Sequence, residues 1–194
     1  MTSADRYPEV FTAISAHLWR IEHPVILSYG CSDGSEVRSL RRWFPHATIV
    51  GLDPNRLMIR QARAHLALNP DPHIRYVEAN TPEVLGDMQF DAILAMAVFR
   101  HGDLERFQPV TCAQVLPFSR FAESVALLDK RLKPGGWLSI WNAHFRFEDT
   151  ATAANFQARS LTCTRDDPLT LLYGADDQRL VDAVYADVIF RKIG

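Results

Sequence analysis

The sequence predicts an α/β protein: a doubly wound, mostly parallel sheet with helices on both faces, in three layers. Short apolar segments alternate along the chain with segments whose apolar residues recur every three or four positions. The first strand-to-helix junction passes through a glycine loop, Gly30-Cys31-Ser32-Asp33-Gly34-Ser35-Glu36, and the next strand stops on an acid, Asp53. Alternation of this kind builds parallel strands, because each crossover helix returns the chain to the edge it left.

Each element follows from its residues. Val10, Ile14, Leu18 and Ile21 stand at helical spacing over residues 9–22, and Pro24 stops the pattern. Val25–Tyr29 is short, mostly apolar and ends at Gly30, as a buried strand entering a tight turn would. From Ser35 the period changes. Val37, Leu40 and Phe44 share one helical face, with Arg38, Arg41 and Arg42 outside it, and Pro45 ends the helix.

Thr48–Asp53 reads as the second strand. A helix over 55–69 follows, with Met58, Ala62 and Leu66 inward and Arg56, Arg60 and Arg63 outward. Asn69-Pro70-Asp71-Pro72 is a loop. Ile74–Ala79 and Phe90–Val98 read as the third and fourth strands. Residues 99–118 carry no clean period and contain Pro109 and Pro117. Phe121, Val125, Leu128 and Leu132 restore a helix, which Lys133-Pro134-Gly135-Gly136 would stop. Trp137–Trp141 is the fifth strand, and the β-branched and aromatic residues of 184–193 suffice for a last one.

The chain of 194 residues fits one domain: an N-terminal helix over 1–24, a core over 25–145, and C-terminal strands and loops over 146–194. A formal net charge of −2 supplies no global field for nucleic acid or an anionic membrane. The arginine stripes lack interleaved aromatic stacking platforms and read as solvated helix faces. Cys31, Cys112 and Cys163 are odd in number and far apart, which excludes a full disulfide framework and metal-ligand spacing. The start lacks the basic and apolar regions of a signal peptide, and no stretch approaches the ~20 apolar residues that span a bilayer. The expectation is a soluble, cytoplasmic protein.

Ligands of such sheets bind outside the carboxyl ends of the strands. The residues to inspect therefore follow Tyr29, Leu52, Ala79, Val98 and Trp141. Glycines let the backbone of the first loop turn sharply and approach a ligand, and the helix that follows favours an anionic group at its start. Asp53, 23 positions after Gly30, is placed to accept hydrogen bonds from both hydroxyls of a ribose. A dinucleotide fingerprint would want glycine where Ser32 and Ser35 stand, and no phosphate-binding lysine follows. An adenosine cofactor with a carboxylate and no phosphates, S-adenosylmethionine, suits the loop better.

With these residues in view, the chain resembles the class I S-adenosylmethionine-dependent methyltransferases. The matching stretches are VILSYGCSDGSE, TIVGLDPN, RYVEANTPEVL, FDAILAMAVFRH and LDKRLKPGGWLSIWN, in the order of that family, across roughly residues 25–145. The family has an acid where Ser28 stands and a further glycine where Ser32 stands. The loop GCSDGSE is also similar, locally, to that of chemotaxis-receptor methyltransferases.

The resemblance implies a seven-stranded sheet with S-adenosyl-L-methionine across its first two strand ends. Gly30, Cys31, Ser32 and Gly34 would bring backbone to the cofactor, and Asp53 would hold the ribose. Pro54 and Asn55 would line the adenine, Asn80 and Thr81 would contact its edge, and Ala97 and Val98 would lie beneath the sulfonium.

Methyl transfer needs positioning, and a base only where the acceptor must lose a proton. His101 after the fourth strand and His144 after the fifth are the candidate bases, with Asn142, Arg146 and Arg100 placed to orient an acceptor and Phe99 and Phe145 to line it. A small-molecule acceptor is expected, entering over residues 99–120, the candidate lid, and the loops after 145. A protein side-chain methyltransferase, a non-catalytic cofactor-binding module and a nicotinamide-dependent oxidoreductase remain the alternatives.

Overall fold

The computed structural model describes residues 7–159, 161, 171–181, 183 and 187–193. Seven strands form one sheet: β1 (Val25–Tyr29), β2 (Thr48–Asp53), β3 (Ile74–Glu78), β4 (Phe90–Met96), β5 (Leu132–Trp141), β6 (Phe156–Arg159) and β7 (Ile189–Lys192), in the order β3-β2-β1-β4-β5-β7-β6. The first five run parallel, while β7 is antiparallel to both β5 and β6. Five helices accompany them: α1 (Pro8–Leu18), α2 (Ser35–Trp43), α3 (Arg56–Leu68), α4 (Gly102–Phe107) and α5 (Phe118–Arg131).

Alternate strand residues feed two cores, as the two-residue period of a strand requires. Ile26, Ile49, Ala92 and Leu94 meet Val10, Ile14, Val37, Leu40, Ile59 and Ala62 on one face. Leu27, Val50, Ile93 and Leu138 meet Phe121, Val125 and Leu128 on the other. Each fully buried Leu, Ile or Phe contributes about 1.5–3 kcal/mol relative to exposure. The strand order reverses between β1 and β4, and the carboxyl ends of these two strands flank the crevice where such sheets bind ligands.

Most expected elements form where periodicity placed them, and the differences have local causes. α1 stops at Leu18, so Ile21 lies outside it in a turn closed by Ile21 N–H donating to Leu18 O (2.9 Å). The inward face of α3 is Ile59 and Ala62, one residue out of phase with the expected Met58, which is only half-buried. Lys133-Pro134-Gly135-Gly136 does not stop α5 from outside the sheet but enters β5. The register shifts there, with Phe90 opposite Leu132 and Ala92 opposite Trp137, and Gly135 takes φ +73°. An irregularity of this kind admits a proline into a strand.

The stretch without a period contains α4, too short at six residues to display one. β6 follows two short 3-10 turns over Phe147–Asp149 and Ala151–Asn155 and was not expected. β7 fills the end of the last predicted strand, whose residues 184–186 lie outside the described residues, as does Cys163. Cys31 and Cys112 are buried and free.

The arginine stripes are partly structural braces. Arg41 pairs with Asp71 at 2.7 Å and donates to the carbonyls of Phe44 and Pro45, and Arg63 donates to Tyr76 O (2.9 Å). Among the described residues, no helix is long and apolar enough to cross a membrane, and no group of His, Cys, Asp and Glu is arranged to hold a metal ion.

The segment over 171–181 docks on residues 108–118. Asp177 O accepts from Cys112 N–H (3.0 Å), and its carboxylate accepts from Phe118 N–H (2.6 Å), the first residue of α5. Tyr173 Oη donates to Pro109 O (3.0 Å), and Arg179 N–H donates to Val110 O (2.8 Å). The expected lid is thereby fastened at several points to a stretch about sixty residues further along the chain.

Candidate cofactor site

The loop after β1 is held almost wholly by its own chain. Gly30 and Cys31 N–H both donate to Leu52 O (2.7 and 3.1 Å), Ser32 N–H donates to Asp53 Oδ2 (2.8 Å) and Gly34 N–H to Cys31 O (3.0 Å). Asp33 Oδ1 accepts from Ser35 N–H and Ser35 Oγ (3.0 and 2.7 Å). These amides serve the loop's own shape. The start of α2 also carries two acids, Asp33 and Glu36, where the sequence suggested an anionic ligand group.

The glycines answer to neighbours on the protein. Gly30 has φ +75°, and a Cβ there would sit 2.4 Å from Val98 Cγ2; Gly34 has φ +79°, and a Cβ there would sit 2.4 Å from Tyr76 Oη. Ser32, in the position where the family carries glycine, has φ 51°, a conformation that glycine adopts without strain. Gly51, in the middle of β2, makes room for both the Tyr76 ring and Cys31 Sγ, at 2.8 and 2.9 Å from its ideal Cβ.

Asp53 ends β2 and is buried. Oδ2 accepts from Ser32 N–H and Oδ1 from Asn55 N–H, both at 2.8 Å. An ionised carboxylate offers about four lone-pair sites. One direction on each oxygen is therefore free for a further donor, which is what two adjacent ribose hydroxyls supply. The next residues are in place too: Pro54 is exposed, and Asn55 caps α3 by accepting at Oδ1 from Leu57 and Met58 N–H (3.0 and 3.2 Å).

Beneath the loop the environment is acidic. Ser28, fully buried on β1, donates to Glu36 Oε1 (2.7 Å). Burial pushes the Glu36 carboxyl up to about 7, against the opposing pull of the Ser28 hydroxyl. The Cys31 thiol is held far above its usual range, first by burial and then by the charges of Asp53, Glu36 and Asp33. Tyr76 is raised to about 12, chiefly by burial. Three carboxylates thus surround one buried thiol, an environment suited to a cationic ligand and hostile to phosphate.

The remaining candidates line the same edge. Asn80 is exposed after β3, and its carbonyl accepts from Tyr29 Oη (3.2 Å); Thr81 Oγ1 faces Glu83 Oε2 at 3.4 Å and precedes a 3-10 turn over Pro82–Leu85. Ala97 follows β4 at φ 59° and donates its N–H to Trp141 O (2.8 Å), and Asn142 follows β5 at φ 55°. Val98 closes on Gly30. The strand ends that carry the predicted residues therefore converge around the switch point.

The histidines are tied down. His101 Nδ1 accepts from Asp103 N–H (3.2 Å) as the cap of α4. A neutral ring accepting at Nδ1 carries its proton at Nε2. His144 is fully buried, with Nδ1 2.8 Å from Leu171 O and Nε2 3.4 Å from His101 O. Phe99, Phe121 and Phe145 pack on one another in the core, with Phe99 and Phe121 centroids 4.8 Å apart and those of Phe121 and Phe145 5.3 Å apart. Arg100 is ion-paired with Glu105, and Arg146 with Asp149 at 3.0 Å. Glu36 stands in the loop singled out from the sequence but was given no role there, and Tyr29, Tyr76 and Gly51 escaped the sequence reading. Only Gly51 left a signal, since a glycine inside a strand marks a close approach.

Comparison with known proteins bears on the domain and its fold. Residues 26–116 match the family model described as a methyltransferase domain. The trans-aconitate 2-methyltransferase of Afipia carboxidovorans is 33% identical over 85 residues, and that of Rhodopseudomonas palustris 28% over 85; both alignments cover 44% of this chain and 31% of the relative. The chain thus spans about a third of the length of the curated relatives it matches. Among solved structures, precorrin-6y C5,15-methyltransferase from Geobacter metallireducens superposes with a TM-score of 0.55 at 16% identity, over 99% of this chain and 93% of that one. The YcgJ protein of Bacillus subtilis gives a TM-score of 0.52 at 15% identity, over 72% and 52% of the respective chains. Over residues 26–116 the chain is thus similar to methyltransferase domains, and its sheet has the fold of the superposed structures.

Proposed function

We propose that this protein transfers the methyl group of S-adenosylmethionine to a small, already nucleophilic acceptor. The observation that carries the reading is Asp53: a buried carboxylate at the switch point with one acceptor direction left on each oxygen, among further acids. Asp53 would accept from the two ribose hydroxyls. Pro54, Asn55, Asn80 and Thr81 would border the adenine, and Gly30, Cys31, Ser32 and Gly34 would form the loop wall. Ala97 and Val98 would form the floor beneath the sulfonium.

Bound S-adenosylmethionine supplies an electrophilic methyl group on a cationic sulfur. The residues named here hold the two partners in line and exclude water, which is where proximity gains its rate advantage. Acidic surroundings favour the cation during binding and lose part of that attraction as the charge disappears. The accelerating work therefore falls on orientation rather than on the acids.

The histidines argue for an acceptor that needs no base. His101 presents an Nε2–H, so it would orient an acceptor by donating to it; His144 would position residues 101 and 171 from the core. A carboxylate is nucleophilic without proton removal. The relatives named for trans-aconitate methylation support an acceptor of that chemistry.

Titration calorimetry with S-adenosylhomocysteine tests the reading. Wild type is expected to bind, and Asp53→Ala to bind at least tenfold more weakly, equivalent to about 1.4 kcal/mol. Absence of binding by folded wild-type protein would remove the basis of the proposal.

A further inference from the structure

A second concave site lies behind the glycine loop, between α2, α3 and β3. It is a groove of about 440 Å³, within the range of small-molecule pockets, and none of the residues placed at the cofactor lines it. Leu66 and Ile74, half-buried, and Tyr76, buried, give it an apolar lining. Its cations are Arg38 and Arg41, and its acid is Asp71, which Arg41 answers at 2.7 Å. Arg38 donates to Asp33 O (2.9 Å) and Ser35 Oγ (2.8 Å), both uncharged acceptors. A guanidinium carries five N–H donors, so Arg38 has others to offer. An apolar lining beside such a guanidinium suits an apolar molecule that ends in a carboxylate, the group whose geometry an arginine fork matches.

Two walls of this groove are also the back of the glycine loop. Tyr76 Oη stands 2.4 Å from the position a Cβ on Gly34 would take, and the Tyr76 ring 2.8 Å from that of Gly51. Arg38 holds Asp33 and Ser35, the residues on either side of Gly34. A molecule seated in the groove closes the space into which Tyr76 and Arg38 could withdraw, and close-packed neighbours pass that restraint to the loop. We propose that the groove between α2, α3 and β3 binds a small apolar carboxylate, and that its occupation tightens the cofactor site through Tyr76 and Arg38. The regulatory half rests on the loop being that site; the ligand half stands on the groove alone. A ligand that steadies the loop lowers the ordering cost the cofactor meets, so each raises the affinity of the other, by about fivefold.

The probes are octanoate, octanol (the tail without the charge) and acetate (the charge without the tail). Titration calorimetry is expected to show wild type binding octanoate about tenfold more tightly than either of the others, as a charged hydrogen bond would give. Arg38→Gln should abolish the preference over octanol while leaving octanol binding unchanged. His65→Trp, at an exposed position on the rim, should fill the groove and block both ligands, with thermal unfolding confirming that each variant is folded. Saturating octanoate should strengthen S-adenosylhomocysteine binding about fivefold in wild type and not in His65→Trp. It should also slow amide exchange at Gly34 and Ser35, with or without that second ligand. Octanoate bound no more tightly than octanol, or bound equally by wild type and both variants, would overturn the site. Bound octanoate that leaves loop exchange unchanged would overturn the coupling. Slowed exchange with no S-adenosylhomocysteine binding would uphold the groove and its link to the loop, and overturn the cofactor reading alone.

Discussion

Replacing Gly30 by Ala tests whether the glycine loop is shaped by the protein itself. Gly30 sits at φ +75°, and an added Cβ would lie 2.4 Å from Val98 Cγ2 and 3.3 Å from Cγ1. The left-handed backbone costs a residue with a Cβ about 1–2 kcal/mol, and the overlap adds about 1–3 kcal/mol as an overpacked contact. The midpoint of their sum, about 3.5 kcal/mol, lowers Tm by about 7–14 °C for a chain of this size. Removing both Val98 branches leaves only its Cβ, at 3.4 Å, an ordinary contact. Gly30→Ala combined with Val98→Ala should therefore recover the overlap and keep only the backbone cost, a coupling of about 1–3 kcal/mol in a double-mutant cycle. Urea unfolding of the four proteins measures it. Additive costs in the double variant, or a Gly30→Ala penalty below about 1 kcal/mol, would refute the view that Val98 sets the need for glycine at 30.

Two further predictions concern stability. The raised carboxyl of Glu36 means that the folded chain holds a proton that the unfolded chain releases above about 4.5, so this group's contribution is most favourable at low pH and is lost as pH rises through about 7. Glu36→Gln removes that loss, so at pH 8 the variant should match or exceed wild type in denaturant unfolding, by at most roughly 3 kcal/mol. A variant less stable than wild type at pH 8 would count against a strained acid. Asp177→Ala removes the acceptor of Phe118 N–H and should cost about 1–3 kcal/mol, with faster amide exchange in the first turn of α5 and at Cys112; unchanged protection at those amides would refute the link.

The repeating parts of the fold were legible in the amino-acid sequence. β1 and β2 run over the residues expected of them, because strands buried on both faces are unbroken apolar runs bounded by turns. α4 and β6 were not legible, being too short for their period to show. The Pro-Gly-Gly segment misled because a bulge admits what a regular strand excludes. At the site, Asp53 and the glycines stood out by spacing, since the constraint on each lies within a few residues along the chain. Glu36 did not, because its bond to Ser28 on β1 and its raised carboxyl are properties of three dimensions. His144 likewise looked like a candidate base until its burial and its neighbours Leu171 and His101 were visible.

The fastening of residues 108–118 by residues 171–181 has a consequence for how this protein can change. Val110 with Arg179, Cys112 with Asp177 and Pro109 with Tyr173 are matched pairs across a long sequence interval. A graft that imports another enzyme's 99–118 stretch while leaving 171–181 in place keeps these main-chain bonds only where the new backbone follows the same path. The two stretches have to travel as one cassette. In synthesis residues 171–181 emerge after β5, so the β1-to-β5 half of the sheet is available to fold before this wall has its other side.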